Sequence, residues 1–237
     1  MLNAMLIKYS VGFVGLVGFV SPAFAVTPDE ILRAADEIRN PSESFFMRVK
    51  VASSDGSSGF EVFTKGKDKT LIRTVAPLRD VGRDLLMLEE NMWAYIPNLK
   101  RAVRVSLNQK LTGQTANGDI ARMRWFGDYT AQIETENADS WQLKLQANKK
   151  GLTYERLRAF VQKKTFRPLK AEYLSSTDVL LKTATFGEYK PMAGKVRPTL
   201  IKIVDSKSPD ASTIEIQKLE SRDLPASLFF QDTLGKQ

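Results

Sequence analysis

The sequence predicts a mainly β, α+β fold in which an antiparallel sheet curls into a barrel or half-barrel. Three observations carry that expectation. Short segments in which apolar and polar residues alternate recur from residue 45 to residue 220. The linkers between them are short and rich in Gly, Asp, Asn, Lys and Pro, and one amphipathic helix stands ahead of them. A period of two places successive side chains on opposite faces of a sheet. About a dozen such strands, with no break in composition and no repeat, read as one domain over residues 26–237.

Residues 1–25 precede that domain and read as a signal peptide. Lys8 ends a short positive region, residues 11–20 are an uncharged apolar run, and Ala23-Phe24-Ala25 supplies the small-x-small pattern of a cleavage site. The run is about half the roughly 20 residues a membrane-spanning helix needs. The expected mature protein therefore starts at Val26 and is exported.

The helix is expected at 29–39. Thr27 is its cap, Pro28 its first residue, Glu30 its capping-box partner, and Asn40-Pro41 its stop. Ile31, Leu32, Ala35 and Ile38 form its apolar face, with Asp36, Glu37 and Arg39 opposite. Strands are expected at 45–51, 60–65, 71–76, 85–89, 92–96, 102–106, 129–135, 141–147, 154–162, 169–174, 180–186, 199–204 and 212–220. Residues 108–124 interrupt the pattern with a polar, Gly-containing loop and a short helix at 119–124, and residues 225–230 form a terminal turn.

Two strands break the alternation. Leu85-Leu86-Met87-Leu88 and Met92-Trp93-Ala94-Tyr95-Ile96 are apolar on both faces, so something must pack on each side. One explanation is a helix on one face and barrel interior on the other. The other is that one face lines a cavity for an apolar ligand, where the flexible thioethers of Met87 and Met92 suit an adaptable wall.

Composition removes much chemistry. The 237 residues contain no His and no Cys. Ser-His-Asp and Cys-His nucleophiles and the usual imidazole or thiolate metal sites are thereby excluded. Glu89 and Glu90 are adjacent and point to opposite faces of a strand, Ser106 and Lys110 are too weak a pair for a nucleophile, and the loop from Gly113 to Gly118 matches no phosphate-binding fingerprint. No catalytic residue, cofactor or metal is expected. The net charge of +8 falls to +7 once Lys8 is removed with the leader. In an exported protein with no basic helix, that charge points away from nucleic acid and toward a transient contact with an anionic membrane surface or an acidic partner.

The stretch Trp93-x-Tyr95-x-Pro97-x-Leu99-Lys100-Arg101-x-x-Arg104 resembles the outer-membrane lipoprotein-sorting protein family, in particular its LolA-like branch. The likeness extends to the leader, the capped helix, the F-x-K-G-K-D-K run at 63–69, the P-x-R-D-x-G run at 77–82 and the order of strands. The resemblance implies a half-open antiparallel β-barrel of about eleven or twelve strands with helices covering the concave face. It implies a monomeric periplasmic carrier of lipid or lipoprotein acyl chains, loaded by an inner-membrane transporter and unloaded to an outer-membrane acceptor. Under it Phe63, Leu86, Leu88, Trp93 and Tyr95 are expected in the cavity wall, and Ile31, Leu32 and Ala35 in a lid. A non-catalytic periplasmic module serving a membrane transporter or envelope assembly, its barrel filled by its own side chains, remains the alternative.

Overall fold

The computed structural model describes residues 26–41 and 44–235, so the expected signal peptide lies outside the described residues. The chain opens with helix α1 (Pro28–Arg39). Strands β1 (Phe45–Ser53), β2 (Gly56–Lys65), β3 (Lys69–Ala76), β4 (Asp84–Leu88), β5 (Asn91–Ile96) and β6 (Arg101–Val105) follow as a meander. A small hairpin, β7 (Lys110–Thr112) and β8 (Thr115–Ala116), leads into helix α2 (Asn117–Ala121). A second meander closes the chain: β9 (Tyr129–Glu136), β10 (Ser140–Ala147), β11 (Arg156–Gln162), β12 (Pro168–Leu174), β13 (Leu180–Met192), β14 (Lys195–Asp205) and β15 (Ala211–Ser221).

The two meanders join where β1 pairs with β15, giving one antiparallel sheet of 13 strands in the order 6-5-4-3-2-1-15-14-13-12-11-10-9. The sheet is not closed into a barrel, because β6 and β9 are its edges and do not pair. It is nevertheless strongly curled. The β4–β5 turn and the β10–β11 turn are nine strand spacings apart, roughly 43 Å on a flat sheet. Yet Lys149 of one turn lies 2.9 Å from Glu90 of the other.

Two expectations about elements are corrected. The main sheet holds 13 strands rather than about eleven or twelve, and β13 and β14 run on past residues 186 and 199 into a long hairpin through Pro191 and Pro198. Those prolines are tolerated because β14 pairs with β15 only from Leu200 to Val204, so the far end of the hairpin is an edge that needs no second ladder. In addition, α2 starts at Asn117, two residues before the expected helix.

α1 forms as its sequence dictates. Glu30 N donates to Thr27 Oγ1 at 3.3 Å while Glu30 accepts from Thr27 N at 2.8 Å. The helix packs against β9, β12 and β14. Its Ile31, Leu32 and Ala35 join a core cluster with Met47, Val62, Ile72, Leu85, Met87, Met92, Leu143, Leu157 and Ile203 on one face of the sheet.

The connection from β6 to β9, residues 106–128, must cross from one edge of the sheet to the other, and it does so on that same face. Leu107, Ala116, Ile120, Ala121 and Trp125 are buried there. Gly113, at φ +52°, seats the β7–β8 hairpin so closely that a Cβ would lie 2.3 Å from Ser212 Oγ. Gln114 N donates to Ser212 Oγ at 2.7 Å, and Thr70 Oγ1 donates to Ala121 O at 2.9 Å.

The other face carries a second cluster. Phe46, Phe63, Leu71 and Leu86 pack with Leu224, Phe229 and Leu234 of the segment after β15. Two 3₁₀ turns, Ala226–Phe229 and Gln231–Thr233, shape that segment. Lys65 Nζ donates to Leu224 O, and the Arg222 guanidinium lies 4.5 Å over the Phe46 ring. Strands β4 and β5 are thus covered on both sides, by the core on one face and by the terminal segment on the other.

The close seat of α2 generates a test. A Cβ on Gly118 would lie 1.7 Å from Thr153 Oγ1, whereas one on Gly187 meets nothing nearer than Leu200 O at 3.9 Å. Gly118→Ala is expected to cost about 1–3 kcal/mol by forced displacement, read from urea unfolding. Gly187→Ala should stay within about 0.5 kcal/mol of wild type.

Candidate functional site

The inner face of β1–β5 is the candidate site, because it is where the core stops short of filling the curl. A cavity of about 360 Å³ opens between α1, the β2–β3 turn and α2, lined by Phe45, Thr70, Ile120, Ala121, Met123 and Phe126 among others. A second, of about 400 Å³, lies between β2–β5 and the β7–β8 hairpin, lined by Phe60, Leu85, Ala94, Val105 and Leu111 with polar groups at its rim. Both fall within the usual range for small-molecule pockets. α2, held to β3 through Thr70, separates them.

At the other side of the curl the interior is filled. There the space shrinks to about 30 Å³, walled by Arg39, Asp119, Arg122, Asp128 and Tyr154. Arg122 binds Asp128 through two donors, Nε at 2.6 Å and Nη2 at 2.8 Å, and its Nη1 donates to Glu89 O at 2.8 Å. Arg124 Nη2 adds a bond to Asp128 at 2.8 Å. Burial pushes the Asp128 carboxyl up, but the two arginines outweigh it and hold the group at about 2. Asp119 accepts from Ala116 N at 2.8 Å and from the Tyr154 hydroxyl at 2.9 Å, and burial raises its pKa against the pull of Lys182. Tyr154 stacks on Tyr173, with centroids 4.1 Å apart, and burial pushes both phenols upward.

α1 is clamped at its C-terminal end. The Asp36 carboxylate accepts from Trp125 N at 2.9 Å, Phe126 N at 3.1 Å, Arg39 Nη1 at 3.1 Å and Asn40 Nδ2 at 3.1 Å. Burial raises its pKa, opposed by Arg39 and the two backbone donors. Arg39 lies 3.6 Å over the Trp125 ring. Arg197 of β14 is buried and donates from Nη1 to Glu37 O at 2.7 Å and Ile38 O at 3.0 Å, capping carbonyls that a helix end leaves unpaired. The expected polar face of α1 is corrected here: Asp36 and Arg39 point inward because the 122–128 segment supplies their partners.

The structure brings the sequence-predicted residues together in two separate places. Ile31, Leu32 and Ala35 lie in the inner core. Phe63, Leu86, Leu88, Trp93 and Tyr95 sit on the opposite face, in or against the outer cluster under the C-terminal segment, although Tyr95 also borders the larger cavity. The division between two faces has a simple cause. β4 and β5 are apolar on both faces, so alternation carries no information about which face is inner, and an error of one residue inverts every side chain. The inner face of β4 and β5 carries Leu85, Met87, Met92 and Ala94, of which Leu85 and Ala94 line the larger cavity. Ser106 Oγ donates to Asn108 Oδ1 at 2.6 Å in a local turn, and Glu90 pairs with Lys149. Among the described residues no group of three or more acidic side chains is placed to hold a metal ion, and no helix is long and apolar enough to cross a membrane.

Sequence reasoning missed Arg197 and the Arg122–Asp128 pair. A signal existed for the second: two basic residues, Arg122 and Arg124, stand close in the chain to one acid, Asp128, among the aromatics Trp125, Phe126 and Tyr129. For Arg197 there was none, since its acceptors are backbone carbonyls far away in the chain.

The chain is 34% identical to a LolA superfamily protein from Nitrosomonas europaea, with 89% of this chain and 100% of that one covered and a TM-score of 0.81. Two more distant structures share the fold. A protein described as an outer membrane lipoprotein-sorting protein domain, from Vibrio parahaemolyticus, is 20% identical over 88% of this chain and 98% of that one, at a TM-score of 0.71. A DUF1329 family protein from Desulfovibrio piger is 20% identical over 88% and 100%, at 0.73. A family model described as "Uncharacterized protein" matches residues 66–236. No curated protein matches the chain.

The low pKa of Asp128 fixes the sign of a pH effect. Its folded value, about 2, lies below the unfolded 3.8. The ionised carboxylate therefore stabilises the fold above about pH 4, and that part is lost as pH falls toward 2. Asp128→Asn should cost about 3–5 kcal/mol at pH 7 by leaving two arginines unpaired. The gap between wild type and variant, measured by denaturant unfolding, should narrow by about 2 kcal/mol between pH 5 and pH 2.

Proposed function

The chain belongs to the LolA superfamily, and from that membership we propose that it is a non-catalytic periplasmic carrier, a single half-barrel domain after signal-peptide removal, that binds lipid or lipoprotein acyl chains on the inner face of β1–β5. One observation carries the reading: two cavities with apolar walls, of about 360 and 400 Å³, lie on the same inner wall. Each buried CH₂ of an acyl chain is worth about 0.8 kcal/mol. α1 serves as one cover of the wall, and α2, held to β3 through Thr70 and to the packed side through Asp119 and Tyr154, divides it into two compartments. Release then depends on a receptor with the more favourable groove. The filled space around Arg122 and Asp128 favours the second reading, an interaction module for a transporter or envelope assembly, but only for that half of the curl.

A docking surface for an anionic membrane stands beside the larger cavity. Leu78 is 88% exposed and Leu99 54% exposed, on the two 3₁₀ turns Leu78–Asp80 and Pro97–Leu99. Gly82 and Pro97 bring these turns together, at 3.5 Å from a Cβ built on Gly82. Arg79, Arg83, Lys100 and Arg101 flank the two leucines in the chain, with Arg79 and Arg83 sharing the Asp80 carboxylate, and Leu insertion with basic neighbours suits a lipid surface.

Native mass spectrometry and acyl-chain titration of protein purified without detergent should detect one bound acyl ligand per chain. Ala94→Trp, which fills the larger cavity, should weaken binding at least tenfold with an unchanged circular dichroism spectrum. Absence of acyl binding by the wild type would remove the carrier reading. For the membrane contact, Leu78→Asp with Leu99→Asp should lower cosedimentation with phosphatidylglycerol vesicles several-fold while leaving acyl titration unchanged. The wild-type contact should weaken with added salt.

A further inference from the structure

Among the described residues, the smaller of the two cavities has a polar mouth with more cations than free carboxylates. Its inner lining is apolar, with Phe45, Ile120, Ala121, Met123 and Phe126. Four cations border it: Arg33, Lys67, Arg122 and Arg124. Its two carboxylates among the described residues, Asp36 and Glu37, are already engaged. Asp36 is saturated by two backbone amides, Arg39 and Asn40, and Glu37 pairs with Lys195 at 2.8 Å. Arg122 and Arg124 share one carboxylate, Asp128. Arg124 Nε is buried and has no acceptor among the described residues. Arg33 and Lys67 are exposed at the rim and enter no salt bridge among the described residues, Arg33 being attracted only weakly by the exposed Glu30 one turn earlier. The Arg33 guanidinium is held 4.5 Å over the Phe126 ring, which fixes it at the edge of the apolar lining.

An apolar floor under a cationic rim is complementary to an amphiphile with a negative head. We propose that this cavity selects its ligand by head group: it takes the acyl chain of an anionic amphiphile, a carboxylate or a phosphate, with the head placed between Arg33 of α1 and Lys67 of the β2–β3 turn and within reach of Arg124 Nε. The inference deepens the carrier reading and rests on it. Guanidinium groups suit both head groups because each offers paired acceptor oxygens to a forked donor. The rim cations are solvent-exposed, so the selectivity they give is modest and salt-sensitive. The bare anion, lacking a chain to bury, gains little.

The test uses dodecyl amphiphiles of equal chain length below their micelle concentrations, titrated by calorimetry at low salt. The probes are dodecanoate, dodecyl phosphate, dodecyl maltoside and dodecyltrimethylammonium, with inorganic phosphate as the chainless control. The wild type is expected to bind one or both anionic probes about tenfold more tightly than the neutral and cationic ones, and to leave inorganic phosphate unbound. Which of dodecanoate and dodecyl phosphate binds identifies the head. The double variant Arg33→Gln with Lys67→Gln alters two exposed side chains and should fold normally. It should shrink the preference to below about threefold while keeping affinity for dodecyl maltoside. Four probes bound within twofold of one another, or a preference unchanged in the double variant, would overturn the head-group assignment alone. Failure of every chain-bearing probe to bind would overturn the carrier reading with it.

Discussion

The buried carboxylate of Asp36 ties the fold together. A sheet of 13 strands that curls without closing leaves a wide apolar face that cannot be left to water. The chain covers it from within, using α1 and the segment that must cross between the two sheet edges. That segment is not a regular element for most of its length, so its backbone groups need partners. Asp36 supplies two of them, to Trp125 N and Phe126 N, and in doing so joins α1 to the crossing segment. Asp119, Thr70 and Asn117 do the same for other parts of it. The charges buried on this side are therefore the means by which an irregular segment is held inside.

One side of the curl is thereby packed and polar, and the other is open and apolar. Arg122, Asp128, Tyr154 and Tyr173 fill the side under β9–β12, and Arg197 pins the end of α1 to β14. Against β1–β5 the same segment presents α2 and the β7–β8 hairpin, with small or flexible residues such as Ala121 and Met123 between α1 and β3. The cavities lie where the packing is loosest, and their positions follow from how the crossing segment is anchored.

Much of this was legible in the sequence. The capped helix at Thr27 and Pro28, the alternating strands and the turn at Pro97 are dictated locally, and the motif from Trp93 to Arg101 encodes one hairpin in which Lys100 adopts a left-handed conformation at φ 47°. That β4 and β5 are covered on both sides also followed from their composition. Which face is inner did not, because Leu85 and Leu86 are equally apolar and the choice is made by where residues 224–234 come to rest. Nor did the inward turn of Asp36, whose partners are 89 and 90 residues away, or the burial of the polar 111–119 loop. Polar residues read as solvated unless their partners are local, and here the partners are supplied by tertiary structure.

The carrier function depends on which face of β1–β5 accepts an acyl chain. The most direct measurement is a crystal structure of the protein bound to a fatty acid carrying bromine at its chain end, with the bromine located by anomalous scattering. A bromine peak is expected on the inner face, in one of the two cavities beside α2, against Phe45 and Ile120 or against Phe60, Leu85 and Ala94. A peak on the outer face, beneath Leu224 and Phe229 and against Leu86 and Trp93, would contradict it, as would the absence of any ordered bromine in crystals grown with saturating ligand.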